Sequence, residues 1–149
     1  MENAMWVDNA EMILDYAIMG TLILMSIVAL WLSVERLLFY SSIHLDSYDN
    51  KDQLELDLSD NLSTIATIGS NAPYIGLLGT VLGIMITFYT MGEVGTVDAA
   101  KIMSGLAMAL KATAMGLIVA IPSIVFYNGL VRKMEKISTQ WDIKQSKAK

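Results

Sequence analysis

Two threonines stand out among the polar residues that lie inside long neutral stretches of this sequence. Thr80 lies twelve residues before Gly92, and Thr113 lies twelve residues after Lys101. If the two stretches are antiparallel membrane helices, a rise of about 1.5 Å per residue places both hydroxyls about 18 Å below one surface, near the middle of a hydrocarbon core of about 30 Å. The two hydroxyls are therefore predicted to form a polar lining that hydrogen-bonds water or a partner side chain. The alternative is that they only pack between helices.

No catalytic or metal-binding constellation is predicted. A threonine without an adjacent base is a poor nucleophile, and no histidine, cysteine or carboxylate lies within the long neutral stretches. The chain has no cysteine, and His44 is its only histidine. We expect no enzyme activity and no cofactor.

Lys111 is the one charged residue inside the three long neutral stretches, residues 16–34, 61–92 and 102–131. A charge at the bilayer centre costs about 2.5 to 3.5 kcal/mol on insertion scales, which makes it a candidate functional charge in a lumen or between subunits. The alternatives are a lysine that extends to the outer headgroups and a structural ion pair. At about 100° per residue, Lys111 projects about 200° away from Thr113 and does not share its lining.

The elements that carry these residues are predicted to be membrane helices. Hydrophobic residues make up 54% of the 149 residues and charged residues 17%, more apolar surface than one soluble core of this size absorbs. The neutral stretches predict an all-α membrane protein of one domain, residues 1–149, with transmembrane helices at 16–38, 65–92 and 102–131. A net charge of −5 argues against a nucleic-acid partner.

The distribution of positive charge predicts the orientation. Residues 35–60 and the tail 132–149 together carry eight lysines and arginines, whereas residues 1–15 and the linker 93–101 together carry one. Positive loops stay in the cytoplasm. The N-terminal segment and the linker are therefore predicted to be periplasmic, and the segment 39–64 and the tail cytoplasmic. The acidic N-terminus is unlike a secretory signal, so the first span is expected to be retained.

Two apolar stripes at helical spacing flank the spans. One continues span three into a tail helix (Leu130, Met134, Ile137 and Trp141), and the other leads into span two (Leu54, Leu58, Leu62 and Ile65). Leu54, Leu56 and Leu58 also alternate as a short strand would. We favour a helix that enters span two without a break. Packing between helices is the expected role of both stripes, and a membrane-surface segment is the alternative.

Small residues recur on one face of each of the last two spans. In span two they are Gly76, Thr80, Gly83 and Thr87, and in span three Gly105, Ala109, Thr113, Gly116 and Ala120. Such faces let membrane helices approach closely. We expect the two spans to pack on each other or on copies of themselves. Because one three-helix chain is not expected to supply partners for both faces, the pattern also predicts a homo-oligomer.

Two sequence runs, APYIGLLGTVLGIMITF at 72–88 and GLAMALKATAMGLIVAIPSIVFYN at 105–128, resemble the ExbB/TolQ branch of the MotA/TolQ/ExbB proton-channel proteins. VERLLFY at 34–40 is similar to the family's helix-end motif. The resemblance implies an inner-membrane subunit that forms a ring of five copies around two copies of a single-span ExbD/TolR-like protein carrying a membrane Asp. Proton flow would then drive a TonB-like protein, with a TolQ-type role in envelope integrity as the alternative.

The resemblance also assigns roles to single residues. It implies channel-lining threonines at Thr80 and Thr113, a helix-end motif at Glu35 and Arg36, helix-breaking prolines at Pro73 and Pro122, and close-packing glycines at Gly76, Gly79, Gly83 and Gly116. Where many members have a glutamate in span three, this chain has Met108. The proton-carrying acid is then expected to come from the partner helix. A small-solute transporter and a structural scaffold stay open as other functions.

Overall fold

The structure, a computed structural model, describes residues 2–94 and 98–148. Within these ranges the chain is helical, which confirms the all-α prediction. The elements are α1 (Glu2–Ser42), a short 3-10 turn (Leu45–Ser47), α2 (Lys51–Ser59), α3 (Leu62–Val94) and α4 (Ala99–Lys147). Three segments are long and apolar enough to cross a membrane, namely Asn9–Ser42, Lys51–Glu93 and Ala99–Lys147.

The long helices extend beyond the predicted spans. α1 begins at Glu2, so the described part of the predicted N-terminal segment continues the first span as helix. α4 has 49 residues and includes the predicted tail, which is therefore no separate element. At about 1.5 Å per residue it is about 73 Å long, more than twice a hydrocarbon core. The predicted linker is short, because α3 ends at Val94 and the Asp98 side chain caps α4, while residues 95–97 lie outside the described ranges.

The predicted unbroken entry into span two is wrong. α2 ends at Ser59, and Asn61 adopts a left-handed conformation with a φ of 61° before α3 begins. Asparagine tolerates this conformation better than most residues, and the Asp60 carboxylate accepts a hydrogen bond from the Asn61 amide at 3.0 Å. The break was hidden because Leu58 and Leu62, on either side of it, are both buried in one cluster.

Both prolines lie inside helices that continue through them, Pro73 in α3 and Pro122 in α4. The helix-breaking role that the resemblance implied is therefore not what the structure has. In a membrane helix the backbone groups released by proline can be satisfied by neighbouring helices and side chains.

Buried residues form two clusters. The membrane cluster joins α1, α3 and α4 through small and β-branched or leucine side chains (Ile18, Leu22, Ala29, Ile68, Ala72, Ala112, Val119 and Ala120). The α2 cluster joins α1, α2, α3 and α4 near the other end of the bundle through larger side chains (Tyr40, Leu54, Leu58, Leu62, Ile65 and Leu130). Both predicted apolar stripes pack here, which confirms the packing interpretation. Leu56 is 71% exposed on α2, so the alternation of a strand does not describe this segment.

Candidate functional site

The two predicted hydroxyls meet where α3 and α4 approach each other most closely. A methyl group placed on Gly76 would lie 2.6 Å from the carbonyl oxygen of Ala112, and one on Gly116 would lie 2.7 Å from the carbonyl oxygen of Ala72. These neighbours are backbone atoms that cannot move aside. The two glycines therefore permit a backbone-to-backbone contact between antiparallel helices that no larger residue would allow.

Thr80 and Thr113 are hydrogen-bonded to each other one helical turn from this crossing. The Thr80 hydroxyl also lies 3.0 Å from the carbonyl oxygen of Ala109 and 3.3 Å from that of Gly76. Each hydroxyl has one hydrogen and two lone pairs. Both are satisfied if Thr113 donates to Thr80 while Thr80 donates to Ala109. The two threonines therefore lie at the same level of the helix pair, as predicted.

The two threonines differ in exposure. Thr80 is only 7% exposed, whereas Thr113 is half-buried. Ala112 and Met115 pack in the membrane cluster with α1, and Thr113 is turned about 100° from Ala112 around α4. The Thr113 hydroxyl can therefore rotate toward the side of the α3–α4 pair away from α1, while Thr80 keeps its backbone acceptors.

The other predicted glycines also serve contacts within the chain. A methyl group on Gly79 would lie 2.8 Å from Cβ of Ala112 and 3.0 Å from Cγ2 of Ile18, and one on Gly83 would lie 3.0 Å from Cβ of Ala109. The small-residue faces of α3 and α4 thus supply partners for each other. The prediction that these faces need further copies of the chain is therefore wrong. They give no evidence for a homo-oligomer.

Lys111 lies apart from the threonines. Its ammonium nitrogen is 3.4 Å from Oδ2 of Asp15, which comes from α1. Of the alternatives for Lys111, this geometry favours the structural ion pair, and the pair lies within one chain. Asp15 was missed as a site residue because the charge count assigned it to the N-terminal segment outside the first span.

Glu35 and Arg36 hold the end of α1 against α2. The buried guanidinium of Arg36 donates to both carboxylate oxygens of Glu35, at 2.6 and 2.5 Å, and to the carbonyl oxygen of Asp57 at 2.9 Å. It also lies 4.7 Å from the centre of the Phe39 ring. These contacts give the helix-end motif a structural role, since they link α1 to the last turn of α2.

The aromatic residues next to this motif complete the junction. The Tyr40 hydroxyl donates to the carbonyl oxygen of Leu58 at 2.5 Å, and the Tyr48 hydroxyl donates to Asp57 at 2.9 Å. Burial raises the pKa of the Tyr48 hydroxyl, and its bond to Asp57 raises that pKa further.

Across residues 2–94 and 98–148, no three histidine or acidic side chains come together in a group that could hold a metal ion.

Comparison with known proteins matches most of this architecture. A family model described as the MotA/TolQ/ExbB proton channel family matches residues 33–143, which include both threonines and the glycine crossing. The chain is 54% identical over 129 residues to a putative biopolymer transport protein ExbB-like 2 from Helicobacter pylori, covering 87% of this chain and 86% of that protein.

Two further relatives represent other parts of the family. A biopolymer transport protein ExbB from Aquifex aeolicus is 53% identical over 135 residues, which is 91% of each chain. A Tol-Pal system protein TolQ from Pseudomonas aeruginosa is 42% identical over 83 residues, 56% of this chain and 36% of that protein. The matches to the Helicobacter pylori and Aquifex aeolicus proteins thus extend over more of this chain than the TolQ match does.

Proposed function

The chain belongs to the MotA/TolQ/ExbB proton channel family, and we propose that it is the subunit that uses the proton motive force to energise TonB-dependent import across the outer membrane. It is a multi-pass bacterial membrane protein, and its ExbB and TolQ relatives support an energiser subunit. The TonB-type role is favoured over the TolQ-type role because the relatives from Helicobacter pylori and Aquifex aeolicus, which align over most of the chain, are named ExbB-like and ExbB.

The observation that carries the proposal is the asymmetric threonine pair at the α3–α4 crossing. Thr80 is held by backbone acceptors, and the half-buried Thr113 can turn its hydroxyl outward. A single-span ExbD-like partner with a membrane Asp would place a carboxylate against this face. Thr113 would donate to the ionised carboxylate, and a hydrogen bond to a charged group contributes about 1.5 to 3 kcal/mol.

Protonation of the partner's Asp then allows that helix to move. A neutral carboxyl group is far less costly in a dry interior than a carboxylate, so the partner can pass from one subunit to the next. One proton that crosses 100 mV releases about 2.3 kcal/mol. The threonines need no proton-transfer chemistry of their own, because they only bind the charged form of the partner's Asp.

We propose that copies of this chain, five by family resemblance, form a ring in the inner membrane around two partner helices. A ring would enclose Thr113, which otherwise faces lipid. A native mass measurement in mild detergent is expected to give a homo-oligomer, and a stable monomer would contradict the ring.

We also propose that the N-terminus is periplasmic and the C-terminus cytoplasmic, in line with the positive charges of the tail. The chain has no cysteine, so a single cysteine can be introduced at position 3 or at position 145. An impermeant thiol reagent should label the first but not the second in intact spheroplasts. The reverse result would contradict this orientation.

Proton flux in vesicles tests the function itself. Vesicles that contain the chain and its single-span partner should acidify when a membrane potential is imposed, whereas vesicles with the chain alone should not. A small-solute transporter would instead move solute without the partner, and a scaffold would support neither flux. Absence of proton flux with the partner present would contradict the proposal.

A further inference from the structure

A cavity of about 570 Å³ separates α1 from α3 and α4 on the side where α3 ends and α4 begins. Its polar lining comes from all three helices and consists of Glu11, Asp15, Tyr16, Thr87, Thr90, Lys101 and Ser104. Its inner wall is formed by Gly79, Gly83, Ala109 and Ala112. A space of this size with polar walls can hold many water molecules.

The ion pair between Asp15, which lines this cavity, and Lys111 leaves much hydrogen-bonding capacity unused. Asp15 and Lys111 are 3.4 Å apart, and their side chains remain 38% and 45% exposed. A carboxylate accepts several hydrogen bonds and an ammonium group donates three. Inside a bilayer, lipid tails cannot meet the remaining capacity, so water must do so.

The tryptophans of α1 place this pair inside the bilayer. Trp6 and Trp31 are 70% and 74% exposed and lie 25 residues apart on one helix. Their separation of about 37 Å lies between the thickness of the hydrocarbon core and that of the whole bilayer, as expected of residues at the two interfaces. Asp15, nine residues from Trp6, is then about 13 Å inside the nearer interface.

The threonines of the cavity are arranged as acceptors. Thr87 donates its hydrogen to the carbonyl oxygen of Gly83 at 2.9 Å, and Thr90 donates to that of Ile86 at 2.7 Å. Their oxygens can therefore only accept hydrogen bonds from water or hydronium in the cavity. Besides Asp15, the titratable groups that line the cavity are Glu11 and Tyr16 of α1 and Lys101 of α4, and the polar lining from α3 consists of these two threonines. The ion-pair partner of Asp15 is Lys111.

We propose that this cavity is a hydrated proton-entry vestibule and that Asp15 is a protonation site supplied by this chain. A hydronium ion in the vestibule transfers its proton to a carboxylate oxygen of Asp15, an O–H bond forms, and a water molecule remains. The use of this proton rests on the proposed function, but the hydration of the cavity does not.

The position of the vestibule relates it to the threonine site. Its inner wall includes Gly79 and Ala109, of which the first precedes Thr80 in sequence and the second accepts the Thr80 hydrogen bond. The wall of the vestibule thus includes the sequence neighbour of Thr80 and the residue whose carbonyl oxygen accepts its hydrogen bond. Asp15 lies outside the family match, which begins at residue 33.

Thiol labelling tests the hydration directly. Met108 lines the cavity, and Ile13 is exposed on α1 at nearly the same level, two residues from Asp15. In membranes, Met108→Cys should react with a small cationic methanethiosulfonate reagent added from the N-terminal side, at least about tenfold faster than Ile13→Cys. Equal fast rates would place this level outside the bilayer, and equal slow rates would mean a dry or lipid-filled cavity. Either result would overturn the proposal.

The charge of Asp15 is tested in the same assay. The ratio of cationic to anionic reagent rates at Met108→Cys is independent of thiol ionisation, and protonation of Asp15 should lower it by about threefold as the outer pH falls. Asp15→Asn should remove most of this pH-dependent change, and Asp52→Asn, far from the cavity on α2, should keep it. A change that persists in Asp15→Asn would overturn the assignment.

Proton flux then tests the functional step. In vesicles with the partner, Asp15→Asn should lower the flux at least about tenfold, while Asp15→Glu should retain most of it. Asp52→Asn, on the exposed surface of α2, serves as the control and should leave the flux unchanged. Native flux in Asp15→Asn would remove Asp15 from the proton path. If the native protein conducts no protons, the proposed function fails while the labelling results still decide whether the vestibule exists.

Discussion

The α3–α4 interface and the α2 cluster are packed by opposite rules within one chain. At the interface, glycines and alanines bring backbones together, while large side chains such as Leu77, Leu110 and Leu117 point outward. In the α2 cluster, large side chains such as Leu54 and Leu58 are fully buried. Lipid gives no hydrophobic drive for helices to associate, so close packing must hold the first region, whereas water drives burial in the second.

This difference explains why the threonine pair can sit where it does. Backbones in close contact place the Ala109 carbonyl oxygen of α4 within reach of the Thr80 hydroxyl, in addition to the Gly76 carbonyl oxygen of its own helix. A core of leucines would separate the helices and remove the hydrogen bonds of Thr80 to Ala109 and to Thr113, leaving only the acceptor within α3. The glycine crossing is thus the precondition of the polar site.

The largest expected effect is therefore a bulky residue at the crossing. Gly76→Leu would place its Cβ 2.6 Å from a backbone oxygen, so α3 and α4 must separate. We expect almost no folded protein in membranes or detergent, because overpacking here cannot be relieved by side-chain movement. Recovery of folded protein after mild solubilisation measures this.

Gly20→Leu is the matched control, since no atom lies within 4 Å of a methyl group at that position of α1. Its yield should be close to that of the native chain. Equal loss in both variants would mean that any leucine for glycine exchange in a membrane helix is harmful, and the contrast between the two regions would lose its basis.

Truncation in the α2 cluster should cost less. Leu58→Ala creates a cavity in a core of large side chains and is expected to lower the free energy of unfolding by about 3 kcal/mol. Leu56→Ala, on the exposed side of the same helix, should change it by less than about 0.5 kcal/mol. Urea denaturation in detergent checks both, and a comparable cost at the two positions would argue against the cluster.

A single hydrogen bond in the same cluster should contribute still less. Tyr40→Phe keeps the buried ring but removes the donor to the Leu58 carbonyl oxygen. We expect a loss of about 1 kcal/mol in the free energy of unfolding, with no effect on proton flux. A marked loss of flux would instead connect the α2 cluster to the membrane site.

The two regions also differ in how far their structure could be predicted. The leucine stripe of α2 was visible because helical spacing selects one face, yet the same stripe concealed the break at Asn61. The level of Thr80 and Thr113 could be predicted by counting, since antiparallel helices have equal rise per residue. The sequence could not predict whether the small-residue faces meet within one chain or between copies, because both arrangements have the same residue pattern.

Long-range pairs were the least predictable part of the site. Asp15 and Lys111 are 96 residues apart, and only the fold of α1 against α4 brings them together. The count of positive charges treated residues up to 15 as a segment outside the span, although α1 is helical from Glu2. A boundary drawn from charge alone cannot distinguish a charge in water from one that lies in a polar cavity.

The most direct test of the proposed proton path is the flux supported by three variants of the threonine pair in vesicles that also contain the partner. Thr113→Val keeps the β-branched shape and leaves Thr80 bonded to Ala109, so packing should survive. Thr113→Ser keeps the hydroxyl. We predict a flux at least about tenfold lower for Thr113→Val and for the Thr80→Val, Thr113→Val double variant, and a nearly native flux for Thr113→Ser. Native flux in the double variant at equal membrane levels would contradict the account.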